Sequence, residues 1–197
     1  MSELIEPKRL EELKGRISSG LADDKDYREI ALELDEVPTP ANAAVLIAML
    51  GNSKDSKYVT LLTRYLNHRE PFTVQSALVA LMYDLQAHLD IADKVMELVR
   101  GVDWDEESEL RQSAIVASGK ILKYSDTPKL AWEIVRILES PAEDITCKAL
   151  AVEAVALSMG AHPAKWSELS RLFERSGELP PEIREWISMH KERDQTP

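Results

Sequence analysis

The sequence predicts an all-α fold built from stacked helix pairs, an α-solenoid, and three observations carry that expectation. First, Gln75-Ser76-Ala77-Leu78-Val79-Ala80 returns almost unchanged as Gln112-Ser113-Ala114-Ile115-Val116-Ala117. Second, Cys147-Lys148-Ala149-Leu150-Ala151-Val152 follows the same pattern and Ala43-Ala44-Val45-Leu46-Ile47 is a weaker copy, so the aligned alanines Ala44, Ala77, Ala114 and Ala149 stand 33, 37 and 35 residues apart. A period of that length is one two-helix unit, which cannot bury its apolar face until a neighbour stacks on it. Third, the segments between turn signals read with a period near 3.6, and none has the strict alternation of a strand.

Each element follows from local signals. Pro7 opens a first helix with Leu10, Leu13 and Ile17 on one face, stopped by Ser18-Ser19-Gly20. A second runs from Asp24 to Asp35 with Tyr27, Ile30, Ala31 and Leu34 aligned. Thr39-Pro40 has the form of an N-cap and first-turn proline, and the helix it opens closes at Gly51-Asn52. Beyond this point the first helix of each pair shares one register: Val59, Leu62 and Leu66 correspond to Ala92, Val95 and Val99, then to Ala131, Ile134 and Leu138. Partner helices begin near Pro71, Glu109 and Glu143, the last closing at Gly160. A final pair places Trp166, Leu169 and Phe173 before Ser176-Gly177, then Ile183, Trp186, Ile187 and Met189 after Pro180-Pro181. The expected organisation is one domain over 1–197: capping helices in 1–38, repeats in 39–160, a capping pair in 161–190 and a frayed polar tail in 191–197.

Composition restricts function. The net charge is −11, which repels a phosphate backbone in the absence of a segregated basic patch, so direct nucleic-acid binding is not expected. The same charge speeds encounter with a basic protein. No stretch has the roughly 20 apolar residues of a membrane span, and Met1 to Arg16 mixes charged with apolar residues unlike a secretory leader, so a cytoplasmic protein is expected. A single cysteine, Cys147, lies on an apolar helical stretch and reads as core. Trp132, Trp166 and Trp186 read as core for the same reason.

No chemistry-bearing motif emerges. The histidines His68, His88, His162 and His190 have no metal-ligand spacing, and each falls near a helix end, where the C-terminal dipole accounts for most of them. The seven glycines fall in no phosphate-binding spacing, and no serine or cysteine sits in a nucleophile motif. The expectation is therefore no catalytic residue, no metal and no cofactor.

The local segment that stands out is Asp103-Trp104-Asp105-Glu106-Glu107-Ser108-Glu109, five carboxylates around one indole with no basic residue among them. One reading is local: Asp103 or Asp105 caps the following helix, the glutamates complement its positive end, and Trp104 folds back as a staple. The other is a docking rim, because the equivalent inter-helix turns carry Glu70 in one unit and Glu139, Glu143 and Asp144 in the next. Acids in a row with Trp104 as anchor suit the Lys and Arg side chains of a partner, and Gln75, Arg111, Gln112 and Glu153 on the second helices would add a wall.

These residues resemble the HEAT-like repeat family in their period in the thirties, proline or cap residues opening helices, and small residues at crossings. The resemblance covers Thr39 to Met189 and implies a short right-handed α-solenoid of antiparallel helix pairs that serves as a binding platform. The family's Asp and Arg repeat markers are not consistently placed here. The function expected is a non-enzymatic module that captures and neutralises a basic protein, in its sharpest form an immunity protein covering the cationic site of a cognate nuclease toxin. The alternatives are a general HEAT-like scaffold or adaptor holding a helix or peptide on its concave face, and a HEAT-like lyase-type enzyme.

Overall fold

The computed structural model describes residues 5–36 and 39–194, and those residues are all-helical, with eleven α-helices and no strand among them. The contacts group the chain into two compact units, Met1–Ala87 and His88–Pro197.

In the first unit, α1 (Pro7–Ser18) and α2 (Asp24–Asp35) are joined through charge as well as apolar packing. Asp23 and Asp26 form a reciprocal capping box at the start of α2. Asp26, itself buried, also receives Arg16 at 2.8 Å and Arg9 at 3.2 Å, and Arg9 forks onto Glu29 at 2.7 and 2.9 Å. Burial opposes ionisation of Asp26, yet the hydrogen bonds and the two guanidiniums hold its carboxyl below the usual range. Leu13, Ile30 and Leu34 are fully buried. α3 (Pro40–Gly51) packs on α2 and on α5 (Pro71–Val79). A 3₁₀ turn, Ser56–Tyr58, leads into α4 (Val59–Tyr65), whose Tyr65 hydroxyl donates to the Leu34 carbonyl. A π turn, Ala80–Asp84, follows α5 and is closed by Leu85 N donating to Ala80 O at 3.0 Å. Thr39 stands at the N-cap position of α3 but makes no capping bond; Pro40 at the first turn removes one donor that would need it.

The second unit holds α6 (Ala92–Arg100), α7 (Glu109–Tyr124), α8 (Pro128–Glu139), α9 (Ile145–Ser158), α10 (Pro163–Ser176) and α11 (Pro181–Asp194). α7 and α9 form its most extensive contact, α6 packs on α7 and α8, and α10 packs on α9. The final helix lies against α8 and α9 and continues to Asp194, past the expected end near Lys191, with Lys191 Nζ 2.6 Å from Glu139; residues 195–197 of the expected tail lie outside the described residues. Residues 1–4 and 37–38 of the expected capping segment also lie outside them.

The repeat alanines are the packing positions: Ala44, Ala77, Ala114 and Ala149 are all buried, at 3% exposure or less. The α7–α9 crossing is close enough that a Cβ on Gly119 would stand 2.6 Å from the Ala154 carbonyl oxygen and 2.8 Å from its Cα. Only a residue without a side chain fits there, and small residues at such a crossing let two helices approach and bury Ala114, Ile115, Val152 and Val155 completely. Trp186 is buried as expected, whereas Trp132 and Trp166 are only half-buried, and Trp166 donates its indole N–H to the Ala161 carbonyl.

Candidate functional site

The turn between α6 and α7 is built by three devices. Gly101, at φ 97°, ends α6 in a conformation that suits a residue without Cβ. Asp105 N donates to Val102 O and Ser108 N to Asp105 O, each at 3.0 Å, which folds the segment tightly. Ser108 then adopts φ 59°, in the left-handed region, and enters α7 without capping it through its own side chain. The cap comes from Asp105, whose carboxylate accepts from Arg111 N at 2.9 Å and Leu110 N at 3.3 Å and is buried.

Arg111 fixes the turn from the other side. Its Nε donates to the Val99 carbonyl at 2.9 Å, and its two Nη atoms fork onto Glu143 at 2.8 and 2.7 Å. One side chain thus ties the end of α6, the start of α7 and the α8–α9 turn together. The side chains of Arg111 and Glu143 are 19% and 14% exposed, a setting in which a two-toothed pair is worth more than on open surface. The hydrogen bonds to Arg111 hold the Glu143 carboxyl below its ordinary range, and those to Glu143 push the guanidinium further up. Cys147 lies beneath, 3.8 Å from Arg111, and burial pushes its thiol up.

Several acids expected to face a partner are therefore engaged within the chain. Asp105 caps α7, and Glu143 holds Arg111. Asp144 caps α9 by accepting from Thr146 N at 2.7 Å, a bond that also lowers its pKa. Glu70 caps α5 by accepting from Phe72 N and Thr73 N; burial alone would raise its carboxyl, but these bonds bring it below the ordinary value. The physical reason is shared: Glu70 and Asp144 stand immediately before a helix, Asp105 folds back from four residues upstream onto the first turn of α7, and Glu143 lies against a guanidinium, so in each case N–H groups compete for the carboxylate. Glu70 and Gln75 belong to the first unit; Gln75 is half-buried, and so is Gln112 in the second.

What remains at the turn is Asp103, Glu106, Glu107 and Glu109, all exposed, with no hydrogen bond or ion pair to their carboxylates among the described residues, and Trp104, half-buried between them in sequence. Arg111, read from sequence as part of a binding wall, is a clamp. Glu153 is half-buried, and burial raises its carboxyl.

The histidines depart from a uniform dipole account. His162 stands at the N-terminus of α10, and its Nδ1 accepts from Ala164 N at 3.3 Å, a cap that needs the unprotonated nitrogen. His68 Nδ1 accepts from Glu70 N at 3.1 Å. His190 stacks on Trp186 and His88 on Tyr124, with ring centroids 3.9 and 5.1 Å apart. No group of three His, Cys, Asp or Glu side chains able to hold a metal occurs among the described residues.

Sequence reasoning missed a second feature of this unit. Arg100 on α6 and Arg136 on α8 both hold Glu133, at 2.6 to 2.8 Å. A signal was present: Arg100 and Glu133 are 33 residues apart and Arg111 and Glu143 are 32, one repeat period, as are Lys57 and Asp24 at 33. No helix of the described residues is long and apolar enough to cross a membrane. Compared with known proteins, the chain matches no family model, no curated protein and no solved structure.

Proposed function

We propose that this chain is a HEAT-like binding module, a short right-handed α-solenoid of stacked antiparallel helix pairs, that captures a basic protein at the 103–109 turn and acts by binding rather than catalysis. Contacts one period apart, such as Arg111 to Glu143, Arg100 to Glu133 and Thr73 to the Pro40 carbonyl, support the repeat architecture. The observation that carries the functional reading is the division of labour among the acids. Asp105 and Glu143 build and brace the turn, which leaves Asp103, Glu106, Glu107 and Glu109 exposed on a fixed backbone. Four acids without internal partners repel one another, and a cationic surface relieves that repulsion while long-range attraction raises its rate of encounter. Trp104 supplies the apolar area that holds a complex once formed. In its sharpest form the partner is a nuclease toxin, with these carboxylates standing where substrate phosphates would lie.

The test is the interaction of the full chain with a small, strongly basic nuclease domain as probe, by surface plasmon resonance over a range of salt. The variant D103N/E106Q/E107Q/E109Q leaves the Asp105 cap and the Arg111 clamp intact, and it is expected to lower the association rate by about tenfold or more and to flatten its salt dependence. An association rate indifferent to both salt and the variant refutes the assignment.

A further inference from the structure

The second unit contains a cavity of about 380 Å³ between the C-terminal ends of α6 and α8, walled by Arg100, Arg111, Trp132, Glu133, Arg136 and Glu143. Its charges are unevenly matched. Arg111 and Glu143 neutralise one another, and Glu139, also on the wall, is held by Lys191. Glu133 alone faces two guanidiniums: its Oε1 meets Nε and Nη2 of Arg100 at 2.7 and 2.6 Å, and its Oε2 meets Nη1 of Arg136 at 2.8 Å. A guanidinium carries five N–H donors in a fixed fork, so both arginines keep donors that Glu133 does not use. The Glu133 side chain is 10% exposed, whereas those of Arg100 and Arg136 are 52% and 70% exposed, so the anion lies at the bottom and the cations stand at the mouth. The walls carry three guanidiniums against three carboxylates, and because Lys191, from outside the lining, holds Glu139, the spare positive charge falls on Arg100 and Arg136.

We infer that this cavity binds a carboxylate of the protein partner, either an acidic side chain or a free C-terminus. The inference rests on the binding-module reading and deepens it: the partner is basic where it meets the 103–109 turn and presents one acid beside that patch. Arg111 joins the two places, because its backbone N–H is held by Asp105 of the turn while its guanidinium lines the cavity. The spare charge and unused donors of Arg100 and Arg136 match a carboxylate monoanion better than a phosphate monoester carrying about two negative charges. The Arg100 and Arg136 forks suit two-toothed recognition of a planar group, and half-buried Trp132 screens one side of it from water.

The test uses the isotope-labelled full chain without partner, following the Trp132 indole resonance. The probes are acetyl-diglycine with a free C-terminus, acetyl-glutamate amide with only a side-chain carboxylate, acetyl-diglycine amide with neither, and inorganic phosphate. The expected result is a saturable shift with one or both carboxylate probes below about 50 mM, none with the amide, and weaker binding of phosphate; the tighter carboxylate identifies its source. R100Q/R136Q is expected to weaken the response about tenfold, and R100K/R136K, which keeps the charge and removes the fork, to weaken it severalfold with unchanged ellipticity. Absence of a saturable carboxylate response, tighter binding of phosphate, or an undiminished response in R100Q/R136Q overturns the inference. Because D103N/E106Q/E107Q/E109Q should retain the Trp132 response, failure here is distinguishable from failure at the acidic turn.

Discussion

Replacing Gly119 by alanine tests the packing that organises the second unit, and Gly15 supplies the matched comparison. Both glycines are helical, so alanine gains about 1 kcal/mol of helix propensity at either place. At Gly15, exposed on α1, an added Cβ meets nothing within 4 Å, so that gain should appear as about 0.5–1 kcal/mol of stabilisation. At Gly119 the new methyl would stand 2.6 Å from Ala154 O, against an ordinary contact of 3.4 Å or more, and the neighbour is backbone rather than a side chain that can swing away. α7 and α9 would have to part by roughly 0.8 Å, loosening contacts all along the crossing, and such overpacking costs about 1–3 kcal/mol or somewhat more. The net expectation for G119A is a loss of about 1–2 kcal/mol, opposite in sign to G15A. All four tryptophans, Trp104, Trp132, Trp166 and Trp186, belong to the second unit, so indole fluorescence during urea unfolding reports on that unit while far-ultraviolet ellipticity reports on both. G119A should lower the fluorescence midpoint by about 0.5–1 M urea, and G15A should raise the ellipticity transition. A G119A midpoint at or above that of the parent would refute the close crossing.

Two further outcomes follow from the turn. Asp105→Ala removes the side chain that caps α7 and should cost about 1–2 kcal/mol, whereas Asp103→Ala, two residues away and exposed, should change stability by less than about 0.5 kcal/mol in the same unfolding assay. Glu143→Gln strands the Arg111 guanidinium and should cost about 2–3 kcal/mol, near the lower end of the range for breaking a buried pair, with R111M/E143L recovering much of the loss. The pH dependence has a definite sign: the Glu143 carboxyl is lowered in the folded chain, so its contribution is present above the unfolded value near 4.5 and is lost as pH falls through the lower folded value. Below about pH 4.5 the parent should therefore lose its advantage over E143Q, and an advantage that persists in acid would contradict the assigned pair.

Much of the helical layout was legible because its signals are local or periodic. Pro7, Pro71, Pro128, Pro163 and Pro181 each stand at the first position of a helix, and of the shared apolar register Leu62, Val95 and Ile134 are fully buried while Val59 and Ala92 at its edge are half-buried. The destinations of the acids were less legible. Asp105 reaches its helix only because Ser108 takes a left-handed conformation, which composition does not announce for a serine. Trp132 follows the core spacing yet is half-buried and lines a cavity whose other walls include Arg100, Arg111 and Arg136, a setting its apolar spacing does not announce. The charge pairs one period apart were visible in principle, since the spacing that aligns the alanines also aligns Arg100 with Glu133 and Arg111 with Glu143.

Cys147 gains a use from its position. The thiol is 3% exposed beneath Arg111, and burial favours its protonated form, so a thiol reagent must wait for the bracket above it to lift. With no second sulfhydryl in the chain, the rate of alkylation times the local opening of the α7–α9 junction, without any introduced label. A partner seated across that junction would slow the clock.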